Sequence, residues 1–218
     1  MKYELIKNAM DLVAEFEIQN TTQQYTNDIE GFKKWIYKNQ SPQSDYDNID
    51  WEGKENGRST DSVISTLLVH MNRFAKNYAK AAIVGSDFTT QEDFIYLITL
   101  KAFGKMSKMD LIKKNVHEKS VGILIISRLM TKGWILQEDS EIDKRSKIID
   151  ITNEGLKVLD QQMHKIRQAT AIVSANLSES EKLELIKLLT KLNDFHSNIY
   201  HQNIDSENLL QQVLTYKN

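Results

Sequence analysis

Residues 117–155 read HEKSVGILIISRLMTKGWILQEDSEIDKRSKIIDITNEG, and the periodicity changes twice within them. From His117 or Glu118 the apolar residues keep helical spacing through Leu124, Ile125 and Leu129 as far as Gly133. Trp134, Ile135, Leu136 and Gln137 then read as a strand. Asp139 to Arg145 is a charged turn, and Lys147, Ile148, Ile149, Asp150 and Ile151 form the returning strand. Thr152 is placed to cap the helix that follows. A helix with a basic-tipped hairpin directly behind it predicts a wing.

Working upstream, Ser107 with Asp110 marks the start of a short helix carrying Met109, Leu111 and Ile112, which fades near Asn115. Before it, Thr89 with Glu92 has the spacing of a capping box, opening a helix through Phe94, Leu97, Ile98 and Leu100 to Gly104. A supporting helix, two short helices joined tightly and a hairpin make a winged helix-turn-helix outline. On either side lie long apolar stripes. Val63, Ile64, Leu67, Leu68, Met71, Phe74, Ala75 and Tyr78 form one. Downstream, Leu156, Leu159, Met163, Ile166 and Ile172 form another. Ser178 with Glu181 then caps a helix bearing Leu185, Ile186, Leu188, Leu189 and Leu192. Stripes this wide must be buried, and a second copy of the chain is the economical partner. Leu209, Leu210, Val213 and Leu214 close the sequence.

The first 40 residues hold two amphipathic stretches, and Asn27 or Asp28 could cap the second. The segment to Asp61 contains the only proline, Pro42, and reads as a linker. The expected class is mainly α with a small β-hairpin wing, a winged helix-turn-helix with long dimerisation helices. Its expected parts are an N-terminal helical extension and acidic linker (1–60), a dimerisation helix (61–88), a winged lobe (89–152) and C-terminal dimerisation helices (153–218).

Residues 61 to about 200 resemble the MarR (multiple antibiotic resistance regulator) family. The likeness lies in the order of elements and in two written stretches, Arg128-Leu129-Met130-Thr131-Lys132-Gly133-Trp134-Ile135 and Asp143-Lys144-Arg145-Ser146-Lys147 through Ile151-Thr152-Asn153-Glu154-Gly155. The first 60 residues and the tail beyond about His201 lie outside it. The resemblance implies a homodimeric transcription regulator with a recognition helix in each major groove of a pseudo-palindromic operator and a wing in the flanking minor groove. Arg145 matches the wing arginine and Asp143 the acid that orients it; a guanidinium suits a narrow, electronegative minor groove. A repressor relieved by a small aromatic or phenolic ligand, in the crevice between dimer helices and DNA-binding lobe, is the implied mode of action. His70, Arg73, Tyr78 and Tyr96 lie on elements that could line that crevice.

The recognition helix departs from the common pattern, with Val121, Gly122, Ile123 and Leu124 where polar residues usually sit. Val121 and Ile123 either touch thymine methyls or enter the core. Gly122 would let backbone approach DNA closely. Candidates for DNA contact are His117, Lys119, Ser120, Ser127, Arg128, Lys132, Asp143, Lys144, Arg145 and Lys147, with Lys105, Lys108 and Lys113 as further phosphate partners. The apolar helix keeps a second reading open, a winged module that docks a protein.

Charge distribution favours DNA despite a net −2. From Lys101 to Lys147, eleven bases face six acids, leaving +5 there and −7 in the remainder. There is no cysteine, which excludes disulfides and thiol sensing. His196 and His201 with Asp194 lack a second closely spaced ligand pair, so no metal is expected. No cofactor or catalytic motif is expected either. No apolar run approaches a spanning helix, and the charged start does not read as a leader, so the expected location is the cytoplasm.

Overall fold

A computed structural model describes residues 2–22, 24–39, 49–139 and 147–215. The chain divides into two compact units, Met1–Ser65 and Thr66–Asn218.

In the first unit, α1 (Lys2–Gln19) and α2 (Ile29–Asn39) meet through an aromatic trio. Phe16 lies 5.4 Å from Phe32 and 5.6 Å from Trp35, centroid to centroid. The connection is tied by Asn20, whose Oδ1 accepts from the Tyr25 N–H at 3.0 Å and whose Nδ2 donates to the Tyr25 carbonyl at 2.8 Å. Of the two candidate caps Asp28 is the one used, accepting from Gly31 N–H at 2.8 Å. That hydrogen bond holds its carboxyl below the usual range.

The second unit begins within α3 (Thr60–Ala82) and continues through α4 (Gln91–Phe103), β1 (Met106–Ser107), α5 (Lys108–Lys114), α6 (Lys119–Thr131), β2 (Ile135–Asp139), β3 (Lys147–Ile151), α7 (Asn153–Val173), α8 (Glu179–Tyr200) and α9 (Ser206–Thr215). The sheet is antiparallel in the order β1-β3-β2, with Ile135 opposite Ile151 and Met106 opposite Ile149. The two hairpin strands are found, but β2 begins after Trp134 and runs on through Glu138 and Asp139, which pair with Ile148 and Lys147. Asp139 therefore belongs to the strand and not to the turn; β1 is an addition, too short for periodicity to reveal. One continuous core joins Tyr96, Leu97 and Leu100 of α4 to Leu111 and Ile112 of α5, and to Ile125, Ile126 and Leu129 of α6. Trp134, Ile149 and Leu159 close it from the sheet and α7.

The start of α4 differs from expectation by one residue. The capping box is Thr90 with Asp93. Ser107, Thr152 and Ser178 cap α5, α7 and α8 as read from the sequence.

The Thr152-x-x-Gly155 signature has a clear physical basis. The Thr152 hydroxyl accepts from Gly155 N–H at 3.0 Å, capping α7, and donates to the Gly133 carbonyl at 2.7 Å. Its own N–H donates to the Trp134 carbonyl at 3.0 Å. Any Cβ at Gly155 would overlap that same Trp134 oxygen, a backbone atom with no rotamer to retreat into. Gly155→Ala is therefore expected to destabilise the lobe by about 3 kcal/mol, at the upper end for overpacking, as read by urea unfolding.

Candidate nucleic-acid interface

The helix-turn-helix is held tightly on its inner side. Gly122, Ile125, Ile126 and Leu129 of α6 are buried, and a Cβ at Gly122 would overlap the Ile112 side chain of α5. Gly122 thus faces inward and lets the two helices approach each other; the expectation that it admits DNA backbone is corrected. The turn between them places Val116 at φ 53°, a left-handed conformation uncommon for a β-branched residue.

The outer face of α6 carries Lys119, Ser120, Val121, Ile123, Leu124, Ser127 and Thr131, all exposed. Val121 and Ile123 are each 41 % exposed and Leu124 is 68 % exposed. The apolar residues left open between core and surface therefore lie on the surface. The Thr131 hydroxyl at the end of this face donates back to the Ser127 carbonyl at 2.9 Å.

Three of the expected DNA-contact residues make hydrogen bonds within the lobe. Arg128 reaches back to α4, where its Nε donates to Asp93 Oδ1 at 2.8 Å and its Nη2 to Thr90 Oγ1 at 3.1 Å. The Asp93 carboxylate is fully buried, and its Oδ2 accepts from Thr89 N–H at 2.8 Å. Lys132 donates to Thr89 Oγ1 at 2.9 Å and to the Asp87 carbonyl, with its Nζ 4.5 Å from the Trp134 ring centre. His117 stacks on Tyr96, its Nδ1 lies 3.0 Å from the Tyr96 hydroxyl, and its Nε2 lies 3.5 Å from Glu92. Lys147 pairs with Asp139 across the hairpin on an exposed surface. Asp143, Lys144 and Arg145 lie outside the described residues. The structure thus gathers Lys119, Ser120 and Ser127 on one outward face and turns His117, Arg128 and Lys132 inward.

The ligand candidates fare differently from expectation. Tyr96 is entirely buried, and burial first, then the Glu92 charge, pushes its phenol pKa far up. A cavity of 580 Å³ does lie between α3, α4, α7 and α8. Its α3 wall is Asn72, Ala75, Lys76 and Ala79, one helical face. His70, Arg73 and Tyr78 lie off that face, and Tyr96 lies in the core beneath, so none of the four lines it. The polar lining is Asn72, Lys76, Gln91, Thr170 and Ser174, over apolar walls such as Phe94, Ile98, Ile166 and Leu189.

Among the described residues no helix is long and apolar enough to cross a membrane.

No protein-family model matches the chain. Its sequence is similar to the HTH-type transcriptional repressor NicR of Pseudomonas putida, 26 % identical over 109 residues, which is 50 % of this chain and 69 % of that protein. In structure it is similar to BpsR of Bordetella bronchiseptica, whose DNA binding is regulated by 6-hydroxynicotinic acid. That match has a TM-score of 0.55 and 20 % identity, covering 60 % of this chain and 98 % of BpsR. The Streptomyces coelicolor regulator PcaV, solved with its natural ligand, matches with a TM-score of 0.56 and 18 % identity over 63 % of this chain and 96 % of its own. A cysteine-to-serine variant of Escherichia coli MarR bound to operator DNA matches with a TM-score of 0.51 and 19 % identity over 66 % of this chain and 99 % of its own. The chain is a winged helix-turn-helix protein with the fold of the MarR-family transcription regulators.

Proposed function

We propose that this chain is a homodimeric, sequence-specific DNA-binding repressor, acting in the cytoplasm and released from its operator by a small ligand. The observation that carries this reading is the outward face of α6, where Lys119, Ser120, Ile123, Leu124 and Ser127 are exposed. A helix presented this way enters the major groove, and its Arg-free, Asn-free surface selects thymine methyls and A·T-rich positions over bidentate reading of guanine. Leu67, Leu68, Met71 and Phe74 of α3 and Leu185, Ile186, Leu188 and Leu189 of α8 are exposed in the single chain. Burying these faces against a second copy sets two recognition helices on one duplex. The likeness to the repressor NicR supports repression, and the ligands of BpsR and PcaV support ligand control.

The effector site in this reading is the 580 Å³ cavity, where Lys76 offers a cation beside apolar walls, as a small aromatic or phenolic acid requires. A ligand there touches α3, α7 and α8 together with α4, and so sets the spacing of the two DNA-binding lobes.

Fluorescence anisotropy with labelled duplex DNA tests the reading. Affinity is expected to fall by a factor of about 10³ between 50 and 200 mM salt, from release of counterions by roughly six phosphate contacts. A salt-insensitive, weak interaction would favour the protein-docking alternative. In the same assay, Arg145→Ala is expected to weaken operator binding by about ten-fold, with the dimer mass by light scattering unchanged.

A further inference from the structure

The side of α6 that lies opposite its buried face has a narrow composition. Gly122, Ile125, Ile126 and Leu129 face the core. On the other side Ser120, Ile123, Leu124, Ser127 and Thr131 recur at i, i+3, i+4, i+7 and i+11 and form one exposed strip. Ile123 is 41 % and Leu124 68 % exposed, so two branched aliphatic side chains stand at its centre between hydroxyl groups. From Lys119 to Thr131 the helix holds no carboxylate and no carboxamide, and its one guanidinium, Arg128, is turned to Asp93 on α4. A strip without acids, with Lys119 at its edge, suits the approach of phosphates.

In the major groove a base pair is told apart by which edge atoms donate, which accept, and whether a C5-methyl group is present. Donors and acceptors are read by groups of fixed hydrogen-bonding sense or fixed fork geometry, namely guanidinium, carboxylate and carboxamide. The strip has none of these. A serine hydroxyl rotates and can both donate and accept, so Ser120 and Ser127 suit thymine O4 and the cytosine N4 amino group alike. Ile123 and Leu124 add contact with a methyl group and nothing else. The strip therefore distinguishes one feature, the C5-methyl, and is indifferent to the pyrimidine that carries it.

We infer that α6 recognises the C5-methyl group itself, so that 5-methylcytosine opposite guanine is accepted in place of thymine opposite adenine. Methylation of a cytosine at such a position strengthens binding, and the methylated base is a ligand in its own right. Ile123 and Leu124 are the residues that set this specificity. The inference rests on the DNA-binding reading above and adds the chemical group that is read.

The test uses the full chain and the consensus duplex recovered from a random-sequence pool, in fluorescence anisotropy. Deoxyuridine, which lacks only the C5-methyl of thymidine, replaces each half-site thymine in turn. At the contacted position the replacement is expected to lower affinity about four-fold per half-site and about fifteen-fold when made in both, the value of one buried methyl group each. Cytosine paired with guanine at that position is expected to bind weakly, and its 5-methyl derivative to regain about the same factors. In Ile123→Ala or Leu124→Ala, whichever residue meets that methyl, the thymine-to-uracil ratio is expected to fall below about two-fold. Both side chains are exposed, so unfolding in urea should be unchanged. Equal affinity for thymine and uracil at every half-site position, or no gain from methylating cytosine, would overturn the inference and leave the DNA-binding reading in place. So would a uracil effect that persists in both variants, since the methyl would then act through duplex shape and not through α6. A pool that yields no consensus would instead refute the proposed function, and this inference with it.

Discussion

Asp93→Ala is expected to destabilise the winged lobe by about 3 kcal/mol in urea unfolding. The carboxylate is completely buried, yet it has three tasks. It caps α4 through Thr89 N–H at 2.8 Å and Thr90 N–H at 3.3 Å, and it receives the Arg128 guanidinium. Loss of a cap costs about 1 kcal/mol, and breaking a buried pair costs roughly 3–5 kcal/mol. Because the Arg128 side chain is 29 % exposed and can rehydrate, the pair contributes less than that range, about 2 kcal/mol, which with the cap gives about 3 kcal/mol. Arg128→Ala is expected to cost about 3 kcal/mol, since it strands a completely buried carboxylate that keeps only its cap hydrogen bonds. The double variant should fall short of additivity by about 1–2 kcal/mol; strict additivity would show that the pair does not hold α6 to α4.

Leu124→Glu is expected to leave unfolding within about 0.5 kcal/mol of the parent and to lower DNA affinity by about 100-fold or more. Leu124 is 68 % exposed, so little packing is lost with it. Against DNA the new carboxylate would face phosphates and base acceptors, and Arg128, the nearest cation on its helix, is already engaged by Asp93. An uncompensated like charge at an interface costs several kcal/mol, and two decades of affinity correspond to about 2.8 kcal/mol. Leu124→Ala, which removes only apolar contact, should cost about ten-fold. Unchanged DNA affinity in Leu124→Glu would take the face of α6 out of the DNA interface.

Much of the fold was legible because its punctuation is local. Gly104 and Gly133, both at positive φ, end their helices where the apolar periodicity ends. Ser107, Thr152 and Ser178 each satisfy a backbone N–H three residues on, within reach of a pattern. The helix-strand change at Trp134 follows from side-chain period alone. The start of α4 was ambiguous because Thr89-Thr90-Gln91-Glu92-Asp93 satisfies the capping spacing in two frames. Arg128 engages Asp93 from 35 residues away, a contact no local window contains.

The site was less legible for the same reason. Polar residues near the expected DNA surface, His117, Arg128 and Lys132, are held by α4 and its leading loop through Glu92, Asp93, Thr90, Thr89 and Asp87. Sequence places a residue on a helix, and helix phase decides what it meets. On α3, the face that lines the 580 Å³ cavity runs through Asn72, Ala75, Lys76 and Ala79 and misses His70, Arg73 and Tyr78.

Selection of bound duplexes from a random-sequence pool, followed by sequencing, tests the central claim that paired α6 helices read a DNA site. The account predicts enrichment of a pseudo-palindrome with A·T-rich half-sites whose centres lie about one helical turn, roughly 10 base pairs, apart. That enrichment should be lost with Leu124→Glu. A pool that emerges without an enriched motif, or a motif recovered equally well by Leu124→Glu, would contradict it.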